Sequence, residues 1–135
     1  MNIFRWDEKY SVGIQSIDDQ HKEIFRVMDQ LFQSLKSGMA SHTIMQIIVD
    51  LENYAVLHFK NEESYFSQFN FEGLEKHIIE HKEFIEKMTS YKVDAQAGKL
   101  ASSFELLHYL KVWIDHHILE VDMEYSECFK KNGLN

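Results

Sequence analysis

Apolar residues recur in this chain at alternating steps of three and four over four separate stretches, and no proline interrupts any of them. That spacing keeps side chains on one face of an α-helix. The first stripe reads Ile24, Met28, Leu31 and Leu35, and the second Ile44, Ile48, Leu51 and Ala55. Leu74, Phe84 and Met88 mark the third, and Leu107, Leu110, Ile114 and Val121 the fourth. With only 5 glycines in 135 residues, the chain favours long helices and short connections over a many-stranded sheet. The pattern predicts an all-α protein, an up-down-up-down antiparallel four-helix bundle with an N-terminal arm. One domain over residues 1–135 is expected, with the arm at 1–17 and helices near 19–37, 41–66, 73–91 and 102–129. Trp6 is expected to anchor the arm, since Ile3, Phe4 and Trp6 are spaced too irregularly for a helix. Asp18 or Asp19 is suited to cap the first helix, Ser41 the second, and Ser102 or Ser103 the fourth. Gly38 is placed to stop the first.

The charge balance narrows the partners. Asp and Glu number 22 against 14 Lys and Arg, giving a formal charge of -8, and the two arginines, Arg5 and Arg26, stand far apart in the sequence. No basic stripe is present, so a nucleic-acid binder is not expected. The single Cys128 excludes an internal disulfide and an all-thiolate metal site within one chain. The start MNIFRWDEKY lacks the apolar run of a signal peptide, and no span has the roughly 20 apolar residues of a membrane helix. A cytoplasmic setting without membrane insertion is the expectation.

The stripes themselves carry the functional signal, because ionisable residues stand in them. His21 lies one step before Ile24, His58 and Glu62 continue the second stripe, His77 and His81 sit within the third, and His117 follows Ile114. Two of these pairs are i,i+4 and share a helical face. In antiparallel neighbours the start of one helix is level with the end of the next. His21, His58 with Glu62, His77 with His81, and His117 therefore fall in one layer of the bundle. Buried ionisable groups require satisfaction, and a metal supplies it. Asp122 lies five residues past His117, a step that turns about 140° from it on a regular helix.

Seven nitrogen and oxygen ligands exceed a tetrahedral zinc site and are too nitrogen-rich for calcium or magnesium. Two octahedral ions suit them better. If both carboxylates bridge, five imidazoles and four carboxylate oxygens, with an oxo or hydroxo bridge, leave one coordination position open. Iron fits such ligands and has the redox chemistry to use the vacancy.

The segments GIQSIDDQHKEIF, HFKNEE, HIIEH and WIDHHILEVD resemble those of the bacterial hemerythrins, and the likeness runs along essentially the full chain. The resemblance implies a non-haem di-iron centre that binds dioxygen reversibly at one iron, for oxygen storage, delivery or scavenging. It implies two iron ions, ferrous when deoxygenated and ferric when oxygenated or oxidised, with an oxo or hydroxo bridge. His77, His81 and His117 would hold the fully coordinated iron, His21 and His58 the iron that binds oxygen, and Glu62 and Asp122 would bridge the two. No enzymatic role is implied. Sensing of oxygen or nitric oxide, and iron handling or repair, are the alternative uses of the same site, with nitric oxide and small anions as candidate ligands. Members often carry a proline between the second and third helices, and this chain has none.

Phe25, Phe59, Trp113 and Ile114 flank the candidate ligands and are expected to line an oxygen pocket; each alone reads equally as bundle core. His42, His108 and His116 lie off the ligand face and are read as surface or structural residues. Glu63 is read as facing water, with contact to a ligand imidazole as the alternative. Cys128 has no thiol partner or basic neighbour to mark it as reactive. A ferritin-like di-iron bundle would want two Glu-x-x-His motifs. The chain has one, Glu105 to His108, away from the ligand stripes.

Overall fold

The computed structural model describes residues 4–135, apart from the side chains of residues 41, 100–102 and 121. Expectations for Ile3, for capping by Ser41 and Ser102, and for Val121 lie outside the described residues. A 3-10 turn, Glu8–Tyr10, precedes α1 (Gln15–Lys36), α2 (Ser41–Gln68), α3 (Leu74–Gln96) and α4 (Leu100–His116). A π-helical turn, His117–Asp122, then leads directly into α5 (Met123–Lys131). Contacts run from α1 to α2, α2 to α3, α3 to α4 and α4 back to α1, which closes the four-helix bundle. Every described regular element is helical. No helix among the described residues is long and apolar enough to cross a membrane.

The apolar stripes meet along the bundle axis. Met28, Leu31, Ile44, Ile48, Leu51, Met88 and Leu110 are fully buried in one core cluster. At the other end Val12, Ile14, Ile17, Phe66, Tyr125 and Phe129 form a second cluster. The ionisable layer lies between them: Phe66 and Tyr125 touch it from one side, Phe59 and Trp113 from the other.

The connections follow local backbone chemistry. Gly38 takes the left-handed conformation at φ 71°, and Met39 N–H returns to the Ser34 carbonyl. Between α2 and α3, Asn70 adopts φ 53°, a role open to Asn because its short side chain tolerates that region. The reversal thus forms without a proline.

Neither aspartate caps α1. The helix begins four residues before the expected position, behind Ile14, whose side chain makes no cap hydrogen bond. Asp18 instead accepts from the Ser11 hydroxyl at 2.5 Å and the Val12 N–H at 2.8 Å, tying the arm to the helix. Trp6 is only half-buried; Phe4 and Tyr10, each 2% exposed, sit deeper. Tyr10 donates to Asp115 at 2.7 Å and packs on Phe25 with ring centres 4.8 Å apart. Ser103 lies inside α4, buried, and caps nothing, since the helix opens at Leu100.

Candidate metal centre

His21, His58, Glu62, His77, His81, His117 and Asp122 are each no more than 2% exposed. α1 contributes His21, α2 contributes His58 and Glu62, α3 contributes His77 and His81, and the π turn supplies both His117 and Asp122. That turn resolves the five-residue step: its wider winding brings the fifth residue back toward the face of the first. The His117 Nε2 to Asp122 Oδ1 distance is 2.9 Å.

The five Nε2 atoms all face the two carboxylates. Asp122 Oδ2 lies 3.3 Å from His21, while its Oδ1 lies 3.4 Å from His77 and close to His117. Glu62 Oε1 lies 3.0 Å from His58 and 3.5 Å from His81. Three sets of ligand atoms are close enough to hold an ion: His21, His58 and Glu62; Glu62, His81 and His117; and His77, His117 and Asp122. The histidines divide into two and three, with each carboxylate reaching across the division.

All five Nε2 atoms and all four carboxylate oxygens are buried without a hydrogen-bond partner. Such groups are rare in a folded protein and unfavourable. A pair of cations in their midst would satisfy them together, so the donor set fits the group expected from the sequence.

Charge is held tightly here. Burial and Asp122 push Glu62 upward, but His58 and His81 outweigh them and leave it below its ordinary value. Burial likewise opposes ionisation of Asp122, yet His117, His21 and His77 hold it well below the carboxylate range. For His117, burial disfavours the cation, while Asp122 and Glu80 raise it to about 10. His81 goes the other way, lowered chiefly by burial.

Around the ligands, Phe59 stacks on His81 at 3.9 Å and Trp113 on His117 at 4.3 Å. Ile114 is buried in the adjoining core. Phe25 is 2% exposed, and its ring packs against Trp6 and Tyr10 of the arm. His42 and His108 are exposed and stand apart from the seven residues. His116 is also exposed and meets Glu120 at 2.6 Å. Glu63 departs from its water-facing expectation: it accepts from His81 Nδ1 at 2.8 Å, because α2 and α3 pack closely enough for the side chain to cross.

Three further neighbours escaped the sequence reading. Gln20 meets His58 Nδ1 at 2.5 Å, and Glu80 meets His117 Nδ1 at 3.3 Å. Tyr125 is fully buried with its ring 5.6 Å from that of His77. Burial, then the charges of Asp122 and Glu62, push its phenol well above the usual range. Only its position three residues past Asp122 marks it in the sequence.

Comparison with known proteins agrees with this arrangement. Residues 12–128 match a family model described as the hemerythrin HHE cation binding domain. Bacteriohemerythrin of Clostridium acetobutylicum is 34% identical over 93% of this chain and 100% of its own. Bacteriohemerythrin of Pseudomonas aeruginosa is 30% identical over 93% of this chain and 80% of its own, and a hemerythrin-like protein of Naegleria gruberi is 30% identical over 91% of both. A crystal structure of wild-type hemerythrin superposes with a TM-score of 0.82 at 24% identity, covering 92% of this chain and 95% of that one. The chain described here belongs to the hemerythrin family.

Proposed function

We propose that this protein binds dioxygen reversibly at a pair of iron ions, for oxygen storage, delivery or scavenging. The observation that carries the reading is the enclosed set of five imidazole nitrogens and four carboxylate oxygens with no other partner. His77, His81 and His117 would hold one ion and His21 with His58 the other, with Glu62 and Asp122 shared. The bound pair supplies the electrons that let dioxygen bind and leave. The chain's own part is containment. Phe59 and Trp113 lie flat against His81 and His117, and with the buried Phe25 and Ile114 they would form apolar walls that limit water and proton entry.

The test combines iron content per chain with an optical spectrum of reduced protein, taken before air, in air, and after deoxygenation. Two irons with a visible charge-transfer band that appears in air and fades on deoxygenation support the proposal. Two irons that oxidise at once without a lasting adduct refute carriage and move the weight to sensing, nitric oxide binding or iron handling. Fewer than two irons in fully loaded protein refute the site itself.

A further inference from the structure

The outer nitrogens of the five imidazoles are not treated alike. In the three-histidine group, His81 Nδ1 donates to the Glu63 carboxylate at 2.8 Å and His117 Nδ1 to the Glu80 carboxylate at 3.3 Å. His77 Nδ1 donates to the Gly73 carbonyl at 3.4 Å. In the two-histidine group, His58 Nδ1 donates to the neutral Gln20 amide oxygen at 2.5 Å. His21 Nδ1 has no hydrogen-bond partner among the described residues. Both anionic acceptors therefore serve one histidine group, and the other receives none.

An imidazole that donates to a carboxylate gains imidazolate character and becomes a stronger donor to a metal, an effect far weaker with a neutral amide. Such outer hydrogen bonds are an established lever on metal potential. Glu63 opens onto a groove of about 470 Å³ between α2 and α3, lined also by Lys60 and Lys82, and its side chain is 33% exposed. Glu80 is 16% exposed. Each keeps partial access to solvent.

Resting on the di-iron reading, we propose that Glu63 and Glu80 are positioning residues that make the two ions electronically unequal. They enrich the ion held by His77, His81 and His117, and leave the ion held by His21 and His58 the stronger Lewis acid. The open position would then fall on the ion better suited to hold an anionic ligand. Gln20 completes the asymmetry by withholding charge from His58.

The test uses iron-loaded full-length protein and four variants: Glu63→Gln, Glu80→Gln, Gln20→Glu and Glu120→Gln. The first two keep the acceptor and remove the charge, and the third adds a charge on the opposite side. Among the described residues Glu120 meets the surface His116, and it is 71% exposed, so its variant controls for net charge. Readouts are reduction potential by spectroelectrochemistry, azide affinity of the oxidised protein, and iron affinity. Glu63→Gln and Glu80→Gln should raise the potential and weaken iron binding by about 10-fold. Gln20→Glu should lower both the potential and the azide affinity, while Glu120→Gln should leave all three unchanged. Melting of the metal-free variants checks that each folds. Equal shifts in the three charge-removing variants, Glu120→Gln included, would reduce the effect to net charge and overturn the proposal, as would no shift in the first three. Wild-type protein holding fewer than two irons would sink the underlying reading as well, a failure separate from two irons with unmoved variants.

Discussion

Removing the metal should destabilise this bundle by an amount that can be set from the site. Without cations, seven buried polar side chains carry ten atoms that lack hydrogen-bond partners. An unsatisfied buried polar group costs about 1–3 kcal/mol. At about 1 kcal/mol per side chain the burden is already about 7 kcal/mol, within the about 5–15 kcal/mol by which whole domains are stable. Histidine–carboxylate contacts at 2.9–3.5 Å offset part of this, most directly between His117 and Asp122. If they recover half, about 3–4 kcal/mol remains. At about 4 °C per kcal/mol for a chain of this length, Tm should fall by roughly 15 °C. Calorimetry of the iron-loaded protein, and of protein stripped by chelator and shown free of metal, measures the difference directly. Melting temperatures within a few degrees of each other would show that the ionisable layer satisfies itself, and the argument from unpartnered atoms would collapse.

Replacing His77 or His81 with Ala should lower iron content, whereas His42→Ala, at an exposed position apart from the centre, should retain the wild-type amount; equal content in all three refutes the assignment. His117 is raised to about 10 from 6.5, so in the metal-free protein it contributes stability below its unfolded value, and that contribution disappears as pH rises through the folded one. A metal needs that nitrogen bare. Uptake of ferrous ion or zinc near neutral pH should release a proton from His117, and affinity should weaken as pH falls. Titration in weak buffer with an indicator checks this, and metal uptake without proton release contradicts it.

The bundle and the ionisable layer were legible in the sequence for one physical reason. Both are periodic within single helices, so the stripe that buries Ile48, Leu51 and Ala55 also carries His58 and Glu62 inward. What periodicity cannot express is a contact between helices. Gln20 to His58, Glu63 to His81 and Glu80 to His117 join residues 38, 18 and 37 positions apart. Their side chains lie beside the core stripe and look like solvated face until helix spacing is known. The start of α1 was misjudged because Asp18 suits a cap, yet tertiary structure uses it to hold the arm through Ser11 and Val12. The π turn left only the awkward step from His117 to Asp122 as its trace.

That turn has a consequence for how the molecule comes apart. Were residues 117–122 to relax into a regular α-helix, everything beyond them would rotate about the helix axis by about 100°. Asp122 would swing out of the centre, and Tyr125 and Phe129 would swing with it, away from Phe66 and from Val12 and Ile14 at the foot of the arm. The last helical segment is thus keyed like a bit in a lock: one angular setting seats the carboxylate and the aromatic foot together. A loss of metal that let the turn rewind would be felt at the N-terminal arm, although no residue of the arm belongs to the centre.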